Sequence, residues 1–181
     1  MQLWAIILAG FGAIAFLLLL DSWTSLGKAP IEERKKRIET SESFSKGKFR
    51  NGLPLKNYLW RSLSEGFKAG EHQKPSEPIQ IFNNDGGVYG QPPTSGLRVT
   101  WLGHSTVLLE LDNANLLIDP IWGTRISPFS WFGPKRWFDP PLAIEDLPRI
   151  DAVVISHDHY DHLDRASILE LADKVSLFLV P

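Results

Sequence analysis

His157, Asp158, His159, Tyr160, Asp161 and His162 form an H-x-H-x-D-H cluster, and its three histidines are three of only five in the chain. Residue types of this kind at this spacing are metal ligands. Alternate residues of an extended segment project to the same side, so His157 and His159 can offer two imidazoles to one ion. Asp161 and His162 lie beyond the bend and are placed to serve a second ion nearby. Ring nitrogens and carboxylate oxygens suit zinc first, with iron or manganese as the other candidates, and the absence of cysteine removes any thiolate site. The intervening Asp158 and Tyr160 are expected to point away from the ions. The plainer alternative, a polar loop at a strand end, requires histidines to gather this tightly by accident.

Placing such a cluster needs a rigid platform, and the chain around it carries strand patterns. Leu97 to Leu102 and Thr106 to Leu111 read as strands, Asp112 to Asn115 as turn residues, and Leu116 to Ile118 as a further apolar strand. The run Ala152-Val153-Val154-Ile155 marks Asp151 to Ser156 as a buried strand that delivers the cluster at its end. Asp164 is a suitable N-cap for a helix to about Asp173, with Ile168, Leu169 and Ala172 facing inward. Val175 to Val180 is the next strand. Strands first and a strand–helix–strand unit later predict an α/β fold with a mixed sheet.

The start of the chain follows a different pattern. Leu3 to Leu20 contains no charge and reaches about the length needed to cross a bilayer as a helix. No basic residue precedes it and Asp21-Ser22-Trp23-Thr24 is a poor cleavage context, so a membrane anchor over residues 1–22 is expected rather than a secretory signal. Lys28, Arg34, Lys35, Lys36 and Arg37 follow it, which favours a cytoplasmic carboxyl-terminal side; a periplasmic domain is the alternative. Residues 28–50 carry eight basic and four acidic side chains, suited to anionic headgroups or to a plain solvated helix over Ile31 to Glu42. Glycine and proline recur from Phe44 to Gly96, so residues 23–96 read as a juxtamembrane lead-in with a short helix around Leu59 to Phe67. A net charge of −2, with 22% charged and 43% apolar residues, indicates a mostly globular chain with no field for nucleic acid.

The loop from Pro120 to Pro141 contains Trp122, Phe129, Trp131, Phe132, Trp137 and Phe138. It can wall an apolar substrate, form a membrane-facing lip, or fold into a small local core; the last is the plainer expectation for tryptophan. Lys135 and Arg136 are candidates to meet a phosphate, beside the turn residues Gly133-Pro134.

The cluster resembles the hallmark of the metallo-β-lactamase superfamily. Thr100-Trp101-Leu102-Gly103-His104-Ser105-Thr106, Leu117-Ile118-Asp119-Pro120, Gly133-Pro134-Lys135-Arg136 and Ile155 through Asp164 are similar to the branch of N-acyl-phosphatidylethanolamine-hydrolysing phospholipase D and its bacterial relatives. A lactonase type lies close to that branch. The likeness begins near residue 48, where Arg50-Asn51-Gly52 resembles the branch's lead-in.

The resemblance implies an αβ/βα sandwich built from two similar halves, of which residues 97–181 supply the first. It implies His157, His159, Asp161 and His162 as ligands of two zinc ions per complete domain, with the remaining ligands drawn from later segments. No histidine follows His162, so the expectation is the first half of a two-half enzyme. By the same likeness Asp119 supports the metal loop through hydrogen bonds, although a turn-forming Asp-Pro explains it equally, and His104 lines the pocket without ligating. The activity implied is hydrolysis of an ester or phosphodiester by metal-activated water, with Asp161 both ligating and holding the nucleophile. A membrane phospholipid is the expected substrate and a lactone or other small ester the competing one. The third reading is a non-catalytic, membrane-anchored remnant.

Overall fold

The computed structural model describes residues 2–50, 52–53, 58–66, 75–82 and 86–180. Two compact units result: residues 27–78, and a larger unit of residues 1–26 with 79–181.

In the smaller unit, α2 (Glu32–Glu39) is a short charged helix with Glu32 and Glu33 in its first turn and Lys36 and Arg37 in its last, the order that suits the helix dipole. It is shorter than the expected Ile31 to Glu42. A minimal hairpin follows, β1 (Phe44–Ser45) with β2 (Lys48–Phe49), closed by the edge contact of Phe44 and Phe49. Helix α3 (Leu59–Gly66) lies where the sequence places one; the expected end at Phe67, and Asn51 of the lead-in motif, lie outside the described residues.

The larger unit opens with α1 (Gln2–Ser22), whose span Leu3–Ser22 is long and apolar enough to cross a membrane. Most of its apolar side chains are open to their surroundings, Trp4, Leu8 and Phe11 among them. The rest is a five-stranded mixed sheet in the order β3 (Leu97–Gly103), β4 (Thr106–Leu111), β5 (Ala114–Ile118), β6 (Ala152–Val154) and β7 (Phe178–Leu179). The first three strands are antiparallel, and β5, β6 and β7 are parallel.

Alternation along β4 sets the faces: Thr106, Leu108 and Glu110 turn inward. Leu108 pairs with Leu117 of β5, which pairs with Val153 of β6, and all three are fully buried. Leu102, Leu142, Ile155 and Leu171 complete this core. Glu110 is buried too, directly opposite Arg98 in the register, whose Nη1 donates to both of its carboxylate oxygens at 3.0 Å. The other face, with Leu97, Val99, Trp101 and Leu111, is apolar and exposed. A sheet apolar on both faces is built to be covered twice.

Several boundaries differ from expectation for identifiable reasons. Strand β5 starts at Ala114, not Leu116, because Asp112 (φ 49) and Asn113 (φ 67) make the tight turn by themselves. Strand β6 is shorter than Asp151 to Ser156, since the Ser156 amide donates to the Asp119 carboxylate and leaves the ladder. Helix α4 (Arg165–Leu171) has the expected Asp164 N-cap but is rotated. Ser167 and Leu171 are its buried residues, whereas Leu169 and Ala172 are exposed.

Because β5 and β6 are parallel, their carboxyl ends share one edge of the sheet; the turn between the antiparallel β3 and β4 lies at the same edge. Side chains that converge there come from segments far apart in sequence.

Candidate metal centre

At that edge one ligand atom each from His157, His159 and Asp161 lies within 4.8 Å of the other two. The His157 and His159 rings stand 4.6 Å apart, and the His157 and His162 rings 4.0 Å. His162 Nε2 lies 3.6 Å from Asp161 Oδ2. The structure therefore brings all four expected residues together, with Asp161 in reach of the His157–His159 pair as well as of His162. The division into two separate pairs gives way to one continuous group, because the turn in which the His162 and Leu163 amides donate to the His159 carbonyl folds the loop back. Tyr160 turns its hydroxyl to the Ser25 carbonyl at 3.4 Å, and Asp158 is exposed.

The loop is held at both ends by aspartates. Asp119, in a left-handed conformation (φ 45) tolerated best by short polar residues, is buried at the end of β5. Its carboxylate accepts from the Ser156 amide at 2.7 Å and hydroxyl at 2.8 Å, and lies 2.8 Å from His162 Nδ1. Burial pushes this carboxyl up, but the hydrogen bonds from His162 and Ser156 outweigh it and hold it below the ordinary aspartate value. A carboxylate only accepts, so Nδ1 of His162 carries the proton and Nε2 presents a lone pair. The Ser156 hydroxyl, whose hydrogen is donated to Asp119, accepts from His157 Nδ1 at 2.9 Å, which likewise leaves Nε2 of His157 free.

At the other end Asp164 accepts from the Gly123 amide at 2.9 Å and the Ser167 hydroxyl at 2.6 Å, while the Trp122 amide donates to Ser167 Oγ at 2.7 Å. These bonds turn Ser167 inward and account for the rotation of α4. Beneath Asp119, Thr106 Oγ1 donates to its carbonyl and accepts from the Ile121 amide, both at 2.9 Å, with Thr106 fully buried.

The β3–β4 turn supplies the remaining contacts. Ser105 Oγ donates to the Asp161 carbonyl, and His104 Nε2 lies 3.5 Å from Asp161 Oδ2. Burial raises the Asp161 carboxyl, but its own backbone amide, the His104 hydrogen bond and the neighbouring imidazoles bring it below the usual range. It is thus a carboxylate at neutral pH.

Sequence reasoning missed Ser156, Thr106 and Ser167. Ser156 carried a signal, since it directly precedes the first histidine.

Beside His104 lies an open groove of about 370 Å³ lined by Trp101, Ile126, Lys135, Trp137 and Phe138. Arg136 also borders it, but its guanidinium donates to the carbonyls of Ile121 (2.8 Å) and Phe138 (3.3 Å), so Lys135 is the cation left facing solvent. The expected local aromatic core forms only in part. Trp122 packs against the main core with Nε1 donating to the Leu142 carbonyl, whereas Trp131, Phe132 and Trp137 are exposed.

Residues 114–181 match the model of the beta-lactamase superfamily domain. Over that stretch, 68 of its 181 residues, the chain is similar to this superfamily. It is 45% identical over 109 residues to an uncharacterised protein of Mycobacterium tuberculosis, covering 60% of this chain and 28% of that one. It is 49% identical over 79 residues to N-acyl-phosphatidylethanolamine-hydrolyzing phospholipase D 1 of Caenorhabditis elegans, covering 44% and 22%. A protein of Saccharolobus solfataricus named a metal-dependent hydrolase is 32% identical over 83 residues, covering 45% and 31%. The chain thus spans less than a third of the length of each of these relatives.

Proposed function

We propose that this chain carries the metal-binding part of a membrane-anchored hydrolase that cleaves ester or phosphodiester bonds, with zinc as its metal. The observation that carries this reading is the approach of His157, His159 and Asp161 donor atoms to within 4.8 Å, beside His162. Donors around a tetrahedral zinc stand about 3.4 Å apart, given bonds near 2.0–2.2 Å. Small side-chain rotations close that difference.

His157, His159, Asp161 and His162 would hold the metal, the last two within reach of a second ion. When bound, it lowers the pKa of water and polarises the scissile oxygen. The chain's own groups prepare for that chemistry. Asp119 and Ser156 keep the Nε2 lone pairs of His162 and His157 available, and Asp161, held ionised, can accept a proton or orient an incoming water. Lys135 offers a positive charge to an anionic head, and Trp101 and Trp137 offer apolar walls.

A phospholipid such as an N-acyl phosphatidylethanolamine is the substrate this reading favours, supported by the similarity to the nematode enzyme of that name and by the apolar span of α1. The basic residues from Lys28 to Arg37 favour a cytoplasmic domain. A reporter active only outside the cytoplasm, fused after Pro181, is then silent.

The test uses the full chain in proteoliposomes. Zinc should bind stoichiometrically, and the double variant His157→Ala, His159→Ala should lose tight binding while keeping its circular dichroism. Unchanged zinc content in that variant sinks the metal assignment. Hydrolysis of N-acyl phosphatidylethanolamine supports the substrate, and turnover of a lactone alone reassigns it.

A further inference from the structure

Two hydrogen bonds tie the aromatic loop to the end of α1. The Ser130 amide and hydroxyl donate to the Asp21 carboxylate at 3.0 and 2.8 Å. Asp21 is the charged residue closing the span Leu3–Ser22, and a carboxylate there marks the level at which hydrocarbon gives way to headgroups. A third contact joins the metal loop to the same place, from the Tyr160 hydroxyl to the Ser25 carbonyl.

The residues around Ser130 are aromatic. Phe129 and Trp131 lie 6.4 Å apart by ring centroid, and Trp131 and Phe132 5.6 Å. Trp131 is 59% exposed and Phe132 61%, as are Trp23 (69%) and Leu26 (58%) on the turn that leaves α1. Apolar side chains from two distant segments are therefore held open at the level where the span ends. Tryptophan and its neighbours are stable at that depth, where an amphipathic ring meets both acyl chains and water.

We propose that Phe129, Trp131 and Phe132 form a lip that inserts into the headgroup region of the bilayer entered by α1, holding the 157–162 loop against the lipid surface. The site then receives its substrate from the plane of the membrane, not from solution. This rests on the reading of α1 as a membrane span. The commitment to lipid comes from continuity: the lip is hydrogen-bonded to the residue that ends the span.

The chain has no cysteine, so single-cysteine probes are clean. Trp131→Cys, Leu8→Cys and Asp173→Cys, each in the full chain, are labelled with an environment-sensitive fluorophore and reconstituted in vesicles of phosphatidylcholine and phosphatidylglycerol. Spin-labelled lipids quench from within the bilayer and iodide quenches from water. The expected result is quenching at position 131 by a shallow lipid label, severalfold stronger than at 173, while position 8 responds to a deep label and 173 to iodide. If position 131 follows iodide while position 8 still responds to the deep label, the lip is in water; the inference fails and the span stands. Shielding of position 131 from both quenchers indicates a second protein surface and overturns it. A position 8 that no lipid label reaches removes the span itself, and the inference with it.

Discussion

His162 Nδ1 lies 2.8 Å from Asp119 Oδ2, joining the last histidine of the metal loop to the residue that ends β5. The contact sets the ring's tautomer and its orientation together. Asp119→Asn preserves shape but removes the charge and replaces one accepting oxygen by a donor, so the bonds to the Ser156 amide, the Ser156 hydroxyl and His162 Nδ1 can no longer all be made and the His162 proton is held less firmly on Nδ1. Zinc affinity should fall by roughly 10- to 100-fold, read by competition with a chromogenic chelator. An affinity equal to that of the parent chain would show that Asp119 is no more than a turn residue.

Ser156 stands between Asp119 and His157, donating to the first at 2.8 Å and accepting from the second at 2.9 Å. Ser156→Ala removes that bridge but leaves the Ser156 amide bond and the His162 contact. A loss of about 1 kcal/mol, or roughly fivefold in zinc affinity, is expected. Combined with Asp119→Asn the two effects should be less than additive, since both act through one network. Full additivity in the double-mutant cycle would count against the relay.

Thr106 is fully buried and uses its hydroxyl twice, towards the Asp119 carbonyl and the Ile121 amide. Thr106→Val keeps the volume and orphans both partners. It should cost about 1–3 kcal/mol of stability, seen as a lower denaturant midpoint in micelles, and should weaken zinc binding because Asp119 is no longer held. A midpoint within error of the parent would refute the role.

Gly103 adopts φ +101, and a Cβ built there would stand 2.7 Å from Arg136 Nη2 and 3.0 Å from a Phe138 ring carbon. The arginine tip can move; the backbone conformation cannot be relieved so easily. Gly103→Ala should destabilise the chain by about 1–3 kcal/mol and shift the β3–β4 turn that carries His104. Equal thermal midpoints for variant and parent would contradict this.

Much of the sheet was legible because a strand's alternation is local. Thr106–Leu111 is a strand with the boundaries its pattern predicts. The α4 face was legible only in part: Ile168 packs against the core, but Leu169 and Ala172 are exposed while Leu171 and Ser167 are buried, the serine turned inward by hydrogen bonds from Ser167 to Asp164 and from the Trp122 amide to Ser167. Local hydrophobicity carries no information about a partner some forty positions away.

The sequence by itself determined the candidate donor set, since H-x-H-x-D-H packs three imidazoles and a carboxylate into six residues, and it determined the apolar span, since length without charge is a local property. Only the tertiary structure decided which nitrogens those histidines offer. That choice depends on Asp119 emerging beside Ser156, which the parallel pairing of Ile118 with Val154 imposes. It also decided that Ser130 meets Asp21 and leaves Trp131 and Phe132 open. Contacts between residues so far apart in the chain arise from packing, and packing is settled by the whole fold at once.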